Sequence, residues 1–331
     1  MDALVSVCIP TFNQSLYLEK AVRSAWNQDK KPDEIIVYND ASTDDTVAVL
    51  ERLVTEIPVL TFFTQPVNKG ISENDEGCLR AATSKYIVRL DSDDFIHFNY
   101  ISKIVKALEE NAQAGYGHCA VQEIDDNDNP TRIRQLARKE GFESADKALE
   151  KSISGYRVAA NILTYRKKCL EELSFNRGRP NYTEDYHLSV SMAAAGYGNV
   201  YIDEVFASYR IWIDAGLVRQ KRKLLEISGL YIVFNKAIIP AFEERSWSTE
   251  RVYVKMGEKA RRQASCLGWS TYSSQEKGEL LTSLKKLSNS TYSQIVYNLY
   301  LNGYGRSFNF IQELKDIPKR VAKKLIYTLR K

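Results

Sequence analysis

The sequence is poor in the residues that build disulfide or zinc scaffolds, with five cysteines and three histidines among 331 residues. The cysteines lie far apart and include no CxxC pair, and no histidine stands near one at metal-binding spacing. Scattered reduced thiols are typical of cytoplasmic proteins. We therefore expect a cytoplasmic chain without disulfides. Few histidines are present to build a catalytic triad or a metal site.

Long apolar runs are also missing. A transmembrane helix needs about 20 consecutive apolar residues, and the most apolar stretch, residues 229–242, is interrupted by Asn235, Lys236 and Pro240. The first ten residues carry no basic segment ahead of an apolar one, so no secretory signal is visible. We expect no membrane span and no export.

The body of the chain has no excess of positive charge. The net charge of +4 comes from residues 315–331, which hold seven Lys or Arg and one Asp, so the remainder has a net charge of −2. Nucleic-acid-binding proteins usually carry a basic surface. We therefore expect no nucleic-acid partner.

The first hundred residues alternate between strand-like and helix-like segments. Short apolar runs are each followed by a turn signal and then by apolar residues at helical spacing. Strands joined by helix-length crossovers predict an α/β protein with a doubly wound, mostly parallel sheet. The predicted strands are residues 5–9, 34–40, 60–65 and 86–90. Ser42 and Asp45 predict a capping box before the second helix.

Beyond residue 100 the pattern is looser. A further strand is predicted at 115–124, followed by an acidic, turn-rich loop at 125–130, whereas residues 131–155 show no clear period. From about residue 215 the chain is predicted to be mainly helical, with Ser-rich breaks near 270–274 and 288–293. We interpret the aromatic residues of 297–310 as helix packing rather than as a sugar-stacking surface.

Acidic residues follow the fourth predicted strand, in YIVRLDSDD. Ligands of doubly wound sheets bind at the carboxyl ends of the strands. Asp91 and Asp93, with Asp94 beside them, can converge there on Mg²⁺ or Mn²⁺ held against substrate phosphates. The alternative is an acidic turn that caps the next helix.

Two further acidic positions have both a functional and a structural interpretation. Asp40 ends the second predicted strand, where a carboxylate can accept a hydrogen bond from a base or a ribose, or can be an ordinary turn residue. Glu184 and Asp185 open a predicted helix, where the helix dipole alone favours acidic side chains. The functional interpretation is a general base presented to the cleft.

Together these segments resemble the family 2 glycosyltransferases of GT-A fold. The resemblance runs in order over about residues 4–212, and six motifs in the right order and spacing make it specific. That fold implies a Rossmann-like, mostly parallel sheet flanked by helices, here with a helical C-terminal extension. The motifs are VSVCIPTFN, EIIVYNDASTDDT, NKGIS, YIVRLDSDDF, NILTYRKKCLEELSF and TEDYHLSVSMAAAGY, followed by the YR of SYRIW.

The resemblance implies roles for the matching residues. Asp185 matches the family's catalytic base, with Glu184 as its neighbour facing the acceptor. Asp93 matches the more direct metal ligand of the DxD motif, and Asp91 lies nearer the ribose and the metal shell. Asp40 takes the place of the carboxylate that holds the uracil ring. The positions implied to bind the donor are Pro10, Thr11, Phe12, Asp40, Lys69, Gly70, Asn74, Asp91 and Ser92.

The chain departs from the family's usual pattern at a few places. Asn39 stands where many relatives have Asp, and Trp212 stands where a His often follows the YR pair. Asn74 and Asp75 replace a common Arg-Asn pair, which removes a cation near the phosphates, and Lys69 is the candidate to compensate.

The resemblance implies an inverting glycosyltransferase of the hexosyltransferase type, active in cell-surface polysaccharide biosynthesis. It would move a sugar from a UDP-sugar onto a glycan or lipid-linked oligosaccharide, with Mn²⁺ or Mg²⁺ as cofactor. A sugar nucleotidyltransferase and a non-catalytic nucleotide- or glycan-binding relative stay open as alternatives, as do monomer and homo-oligomer. The implied domains are 1–214, with a nucleotide-binding half 1–100 and an acceptor half 101–214, and a helical region 215–331.

The C-terminal residues 315–331 form a basic amphipathic pattern. Apolar residues lie along one stripe of the predicted helix, and lysines and arginines lie on the other faces. Such a helix can bind an anionic membrane surface, which would place the protein at the inner face of the membrane. The alternative is a helix that docks on its own domain or on a partner subunit.

Overall fold

The computed structural model describes residues 4–176, 180, 182–212 and 220–310. Their contacts divide them into two compact units, the first within 1–217 and 232–247 and the second within 218–231 and 248–331. The predicted division after residue 214 stays a prediction. The basic segment 315–331 lies outside the described residues.

The first unit is built on one sheet. Along the sheet the strands follow the order β3-β2-β1-β4-β9-β6-β10-β5, with β7 paired to β6 and β8 paired to β10. The strands are β1 Val5–Thr11, β2 Glu34–Asn39, β3 Leu60–Thr64, β4 Tyr86–Arg89, β5 Phe95–Ile96, β6 Ala114–Ile124, β7 Pro130–Arg134, β8 Gly141–Glu143, β9 Leu163–Arg166 and β10 Gly198–Arg210.

Strands β3, β2, β1 and β4 are parallel neighbours. Strand β9 runs antiparallel between β4 and β6, and β10 lies parallel to β6. The carboxyl ends of β1, β2 and β4 therefore share one edge, where ligands bind in such sheets. The prediction of an α/β protein with a central sheet of mostly parallel strands is confirmed.

Helices cover both faces of this sheet. Side chains of a strand alternate between the faces, and β1 shows it: Val5, Val7 and Ile9 join one buried cluster, whereas Cys8 joins the other. Burial on both faces explains why these strands are continuous apolar runs. The helices of this part are α1 Ser15–Trp26, α2 Thr46–Glu56, α3 Ile71–Ala81, α4 Tyr100–Glu110, α5 Ala145–Ser152, α6 Lys167–Glu172 and α7 Glu184–Ala194.

Some local predictions are wrong. The capping box at Ser42 and Asp45 does not form, because Asp44 Oδ1 accepts from the Thr46 amide at 3.1 Å and Ser42 Oγ accepts from the Asn13 amide at 2.9 Å. The segment 131–155 holds β7, β8 and α5, which are too short to show a period. Strands β9 and β10 were not predicted either.

The described residues of the second unit are mainly helical, as predicted for this part of the chain. Its helices include Glu250–Gln263, Ser274–Leu287 and Thr291–Leu301. The Ser-rich breaks supply their N-caps: Ser273 and Glu276 form a capping box, and Ser290 accepts from the Ser293 amide. Tyr297 and Tyr300 are buried, in agreement with a packing role, whereas Tyr304 and Phe310 of the same segment are exposed.

Among the described residues, one helix, Lys223–Glu244, is long and apolar enough to cross a membrane, and half of its most apolar window is buried inside the protein. The helix continues through Asn235, Lys236 and Pro240, with a π-helical turn at Val233–Ile238. Buried core helices meet the same criterion, so this single helix is weak evidence for a membrane span.

Candidate active site

The loops that follow β1 and β2 meet at Asp40. Its backbone N–H donates to the Thr11 carbonyl at 2.9 Å. Its buried carboxylate accepts from the amides of Lys69 at 2.6 Å and Gly70 at 2.8 Å. Gly70 has a φ of +85°, a conformation that favours glycine. Asp40 therefore fixes the 69–70 loop at the start of α3, and its oxygens keep lone pairs for a further donor.

The other residues predicted around the nucleotide lie on the same loops. Thr11, the last residue of β1, is buried, and Phe12, directly after it, is exposed. The Lys69 side chain is exposed, and its contact with Asp40 runs through the backbone. Asn39 donates to Thr64 Oγ1 and accepts from the Ser42 amide, so it shapes the turn in which many relatives have Asp.

Arg89, the last residue of β4, is the main site residue that the sequence analysis missed. Its Nε donates to Asp75 Oδ1 at 2.8 Å, and the two side chains are 4% and 1% exposed. Its Nη2 lies 3.0 Å from Asp91 Oδ1, and its Nη1 lies 3.9 Å from Asp185 Oδ2. One buried guanidinium therefore connects carboxylates from α3, the loop after β4 and α7.

The position of Arg89 follows from the register of the sheet. It pairs with Cys8 of β1 and with Leu163 of β9, and its Nη1 donates to the Asn161 carbonyl at 3.0 Å. The signal in the sequence is a lone charge within the apolar run YIVRL, since a buried charge is almost always paired. The Arg89 guanidinium contacts Asp75. It therefore supplies a cation beside the Asn74–Asp75 pair, at which the resemblance implies the loss of an arginine.

The loop after β4 holds the DxD residues in different surroundings. Asp91 faces Arg89, Ser92 is buried, and Asp93 accepts from the Trp212 indole N–H through Oδ2 at 2.8 Å. Asp94 is buried and accepts from the Arg210 amide at 2.8 Å. Asp94 therefore has the structural role of a turn residue, and Asp91 and Asp93 remain for ligands.

Glu184 and Asp185 are the first residues of α7, as predicted, and both are buried. The preceding Thr183 has a φ of +70°, which turns the chain into the helix. Burial raises the pKa of Glu184 to about 8, with the Asp185 charge adding to the effect. Glu184 therefore holds a proton at neutral pH, which limits the negative charge at this helix start.

The charge at the site is only partly compensated. Burial raises the pKa of Asp91 to about 7, with Arg89 opposing the shift and the charges of Asp93 and Asp185 adding to it. Burial also raises the pKa of the Tyr165 hydroxyl well above its usual range, and the Asp185 charge adds to this. Closely spaced carboxylates with one guanidinium form an environment that favours a further cation.

Asn74, which is predicted to bind the donor, makes a structural contact. Its Nδ2 donates to the Tyr38 carbonyl at 2.9 Å, and the residue is 3% exposed. This bond ties α3 to β2, one residue before the Asp75 that contacts Arg89. The beginning of α3 therefore joins the Asp40–Gly70 contact to the Asp75–Arg89 contact.

A family model described as glycosyl transferase family 2 matches residues 6–173, just over half of the chain. The chain belongs to glycosyl transferase family 2. The match covers β1 to β9 and includes Asp40, Arg89 and the DxD residues. The predictions of the family and of the glycosyltransferase class are confirmed at this level.

The chain is also similar to curated bacterial proteins. The GalNAc(5)-diNAcBac-PP-undecaprenol beta-1,3-glucosyltransferase of Campylobacter jejuni is 28% identical over 210 residues, which are 63% of this chain and 65% of that protein. Chondroitin synthase of Escherichia coli is 40% identical over 93 residues, 28% of this chain and 13% of that protein. The chain thus matches less than two thirds of the length of either relative.

Solved structures show the same fold. S. aureus TarS 1-349 in complex with UDP has a TM-score of 0.60 at 15% identity, covering 92% of this chain and 91% of that chain. The mannosyltransferase PcManGT from Pyrobaculum calidifontis, in complex with GDP-Man and Mn²⁺, has a TM-score of 0.56 at 19% identity, covering 91% and 85%. The GT-A fold expected for a family 2 member is therefore confirmed.

The residues present fit a metal that is shared with a substrate. Across 4–176, 180, 182–212 and 220–310, no group of three or more His, Cys, Asp and Glu forms a metal cage. Mg²⁺ and Mn²⁺ at phosphate-transfer sites are commonly held by one or two carboxylates together with substrate phosphates. Asp93, with Asp91 beside it, offers such a donor set, whereas Asp94 is committed to the Arg210 amide.

Proposed function

We propose that this chain is an inverting glycosyltransferase that moves a sugar from a UDP-sugar onto a hydroxyl of a lipid-linked oligosaccharide or polysaccharide. The observation that carries the proposal is the Arg89 guanidinium, which lies 3.0 Å from the Asp91 carboxylate and 3.9 Å from the Asp185 carboxylate. A metal-binding loop and a base at one site are what the reaction needs. Membership in family 2 supports the choice of reaction.

The donor and acceptor are proposed from the relatives. TarS was solved with UDP and with UDP-GlcNAc, which supports a uridine donor here. The Campylobacter relative is named for a polyprenyl-diphosphate-linked glycan, which supports a lipid-linked acceptor. Asp40, with lone pairs free beyond its bonds to the 69–70 amides, is the group proposed to hold the uracil ring.

The chain's own residues supply acid–base chemistry and orientation. Asp185 takes the proton from the attacking acceptor hydroxyl, and Arg89 keeps that carboxylate near Asp91. Glu184, protonated at neutral pH, is a hydrogen-bond donor beside the base. General-base catalysis of this type typically contributes ~10² to 10⁴-fold to the rate.

Asp93 and Asp91 would hold a divalent cation against the donor diphosphate. Bound there, Mn²⁺ or Mg²⁺ supplies the positive charge that stabilises the diphosphate as a leaving group. The Mn²⁺ present with GDP-Man in the PcManGT complex supports the choice of ion.

The test is a panel of donors incubated with the full chain and Mn²⁺. The panel contains UDP-glucose, UDP-GlcNAc, UDP-GalNAc and GDP-mannose, and released nucleoside diphosphate is measured with and without a polyprenyl-diphosphate-linked oligosaccharide. We expect slow release from one UDP-sugar, accelerated by the acceptor. Binding of a donor without release, or release from GDP-mannose alone, would contradict the proposal. In a parallel incubation with UTP and sugar 1-phosphates, formation of pyrophosphate would contradict it as well.

A further inference from the structure

Trp212 lies two residues after the end of β10 and is an unusual hydrogen-bond partner for a carboxylate that is proposed to bind metal. The indole Nε1–H of Trp212 donates to Asp93 Oδ2 at 2.8 Å. An indole N–H is a donor only and has no lone pair for a cation. Trp212 therefore cannot ligate a metal from the place where a His is common in the family.

The indole is itself held in place. The indole and the Tyr17 ring form a T-shaped pair, with 5.3 Å between their centroids and an interplanar angle of 85°. The Arg210 guanidinium lies 4.1 Å from the same Tyr17 ring, and its Nε donates to the Asp93 carbonyl at 3.0 Å. Asp93 is thus fixed through its side chain by Trp212 and through its backbone by Arg210.

We propose that Trp212 is a positioning residue that orients Asp93 for a divalent cation. By holding Oδ2, the indole leaves Oδ1 of Asp93 to the metal and removes the rotational freedom of the carboxylate. Loss of a group that hydrogen-bonds to a ligating side chain typically lowers metal affinity by about 10- to 100-fold. This inference rests on the proposed metal-assisted transfer and explains how a donor-only side chain serves it.

The test is Mn²⁺ binding, measured by electron paramagnetic resonance with the full chain and saturating UDP. Trp212→Phe keeps a ring against Tyr17 and deletes the N–H, so we expect the Mn²⁺ dissociation constant to rise about 10-fold. UDP binding without metal should stay unchanged, whereas a substitution that only disturbed the fold would weaken UDP binding as well. Trp212→His, with an imidazole that can donate or ligate, should bind Mn²⁺ more tightly than Trp212→Phe.

Two controls separate the possible failures. Trp247→Phe removes an indole that packs edge-on against Phe242 and should leave Mn²⁺ binding unchanged, whereas Asp93→Asn should abolish it. If Asp93→Asn loses Mn²⁺ while Trp212→Phe binds it as well as or better than the wild type, the role of Trp212 is overturned and the metal site stands. If the wild type binds no Mn²⁺ with UDP, or Asp93→Asn binds it normally, the metal-assisted function itself is contradicted, and this inference with it.

Discussion

The Nε of Arg89 lies 2.8 Å from Oδ1 of Asp75, and both side chains are almost fully buried. This ion pair joins the end of β4 to α3 and orients the guanidinium so that its other nitrogens reach Asp91 and Asp185. Desolvation makes a buried ion pair costly to form, but removal of one partner is costlier, because it leaves an uncompensated charge. We therefore expect the loss of Arg89 to destabilise the fold and to disturb the site.

Arg89→Met should lower the free energy of unfolding by ~3 to 5 kcal/mol, the usual cost of breaking a buried pair. The loss should be larger at pH 8 than at pH 5, because the carboxylates left without their cation are then ionised. Urea unfolding at both pH values measures it. Arg52→Met, which breaks exposed pairs with Glu19 and Glu56, is the control and should change the unfolding midpoint far less; equal effects of the two substitutions would contradict the account.

Asp40→Ala should release the loop before α3. Its carboxylate accepts two backbone N–H groups, and a hydrogen bond to a charged group contributes ~1.5 to 3 kcal/mol. We expect faster hydrogen exchange at the Lys69 and Gly70 amides and weaker UDP binding. Asp40→Asn retains one acceptor oxygen and should show a smaller increase in exchange. Unchanged exchange at both amides in Asp40→Ala would show that the loop does not depend on this carboxylate.

Glu184→Gln should change how stability depends on pH. The pKa of Glu184 is raised from 4.5 to about 8, so the folded state keeps this proton over a range in which the unfolded chain loses it. The group therefore makes stability fall as pH rises from about 4.5 to 8, by at most ~1.4 kcal/mol per pH unit. In the variant this slope disappears, and its stability relative to the wild type should rise between pH 5 and pH 8 in urea titrations.

The matched control for Glu184 is Glu73, an exposed acidic residue in the first turn of α3. Glu73→Gln should leave the pH dependence of stability unchanged. Parallel curves for wild type and Glu184→Gln across this range would show that Glu184 ionises normally in the folded protein.

Much of the N-terminal half could be predicted from sequence because each of its signals is local. The runs around Val7, Ile36 and Val88 are continuous apolar strands, since both faces of the parallel sheet are covered. The turn residues after them, including Asp40 and Asp93, mark the edge where ligands bind.

The remaining features depend on contacts between distant segments. The bond from Arg89 to Asp75 spans 14 residues, and the bond from Trp212 to Asp93 spans 119. Periodicity and spacing carry no information on such pairs. Strand β9 passes directly into α6 with no residue between them, and its antiparallel place between β4 and β6 is a property of the whole sheet.

The central claim is that Asp185 acts as the base at the site that Asp91 and Asp93 form around the donor. The most direct measurement compares Asp185→Asn with the wild type in acceptor-dependent transfer, with UDP affinity determined in parallel. We expect transfer to fall ~10² to 10⁴-fold while UDP and Mn²⁺ bind as in the wild type. Transfer at the wild-type rate by Asp185→Asn would contradict the account.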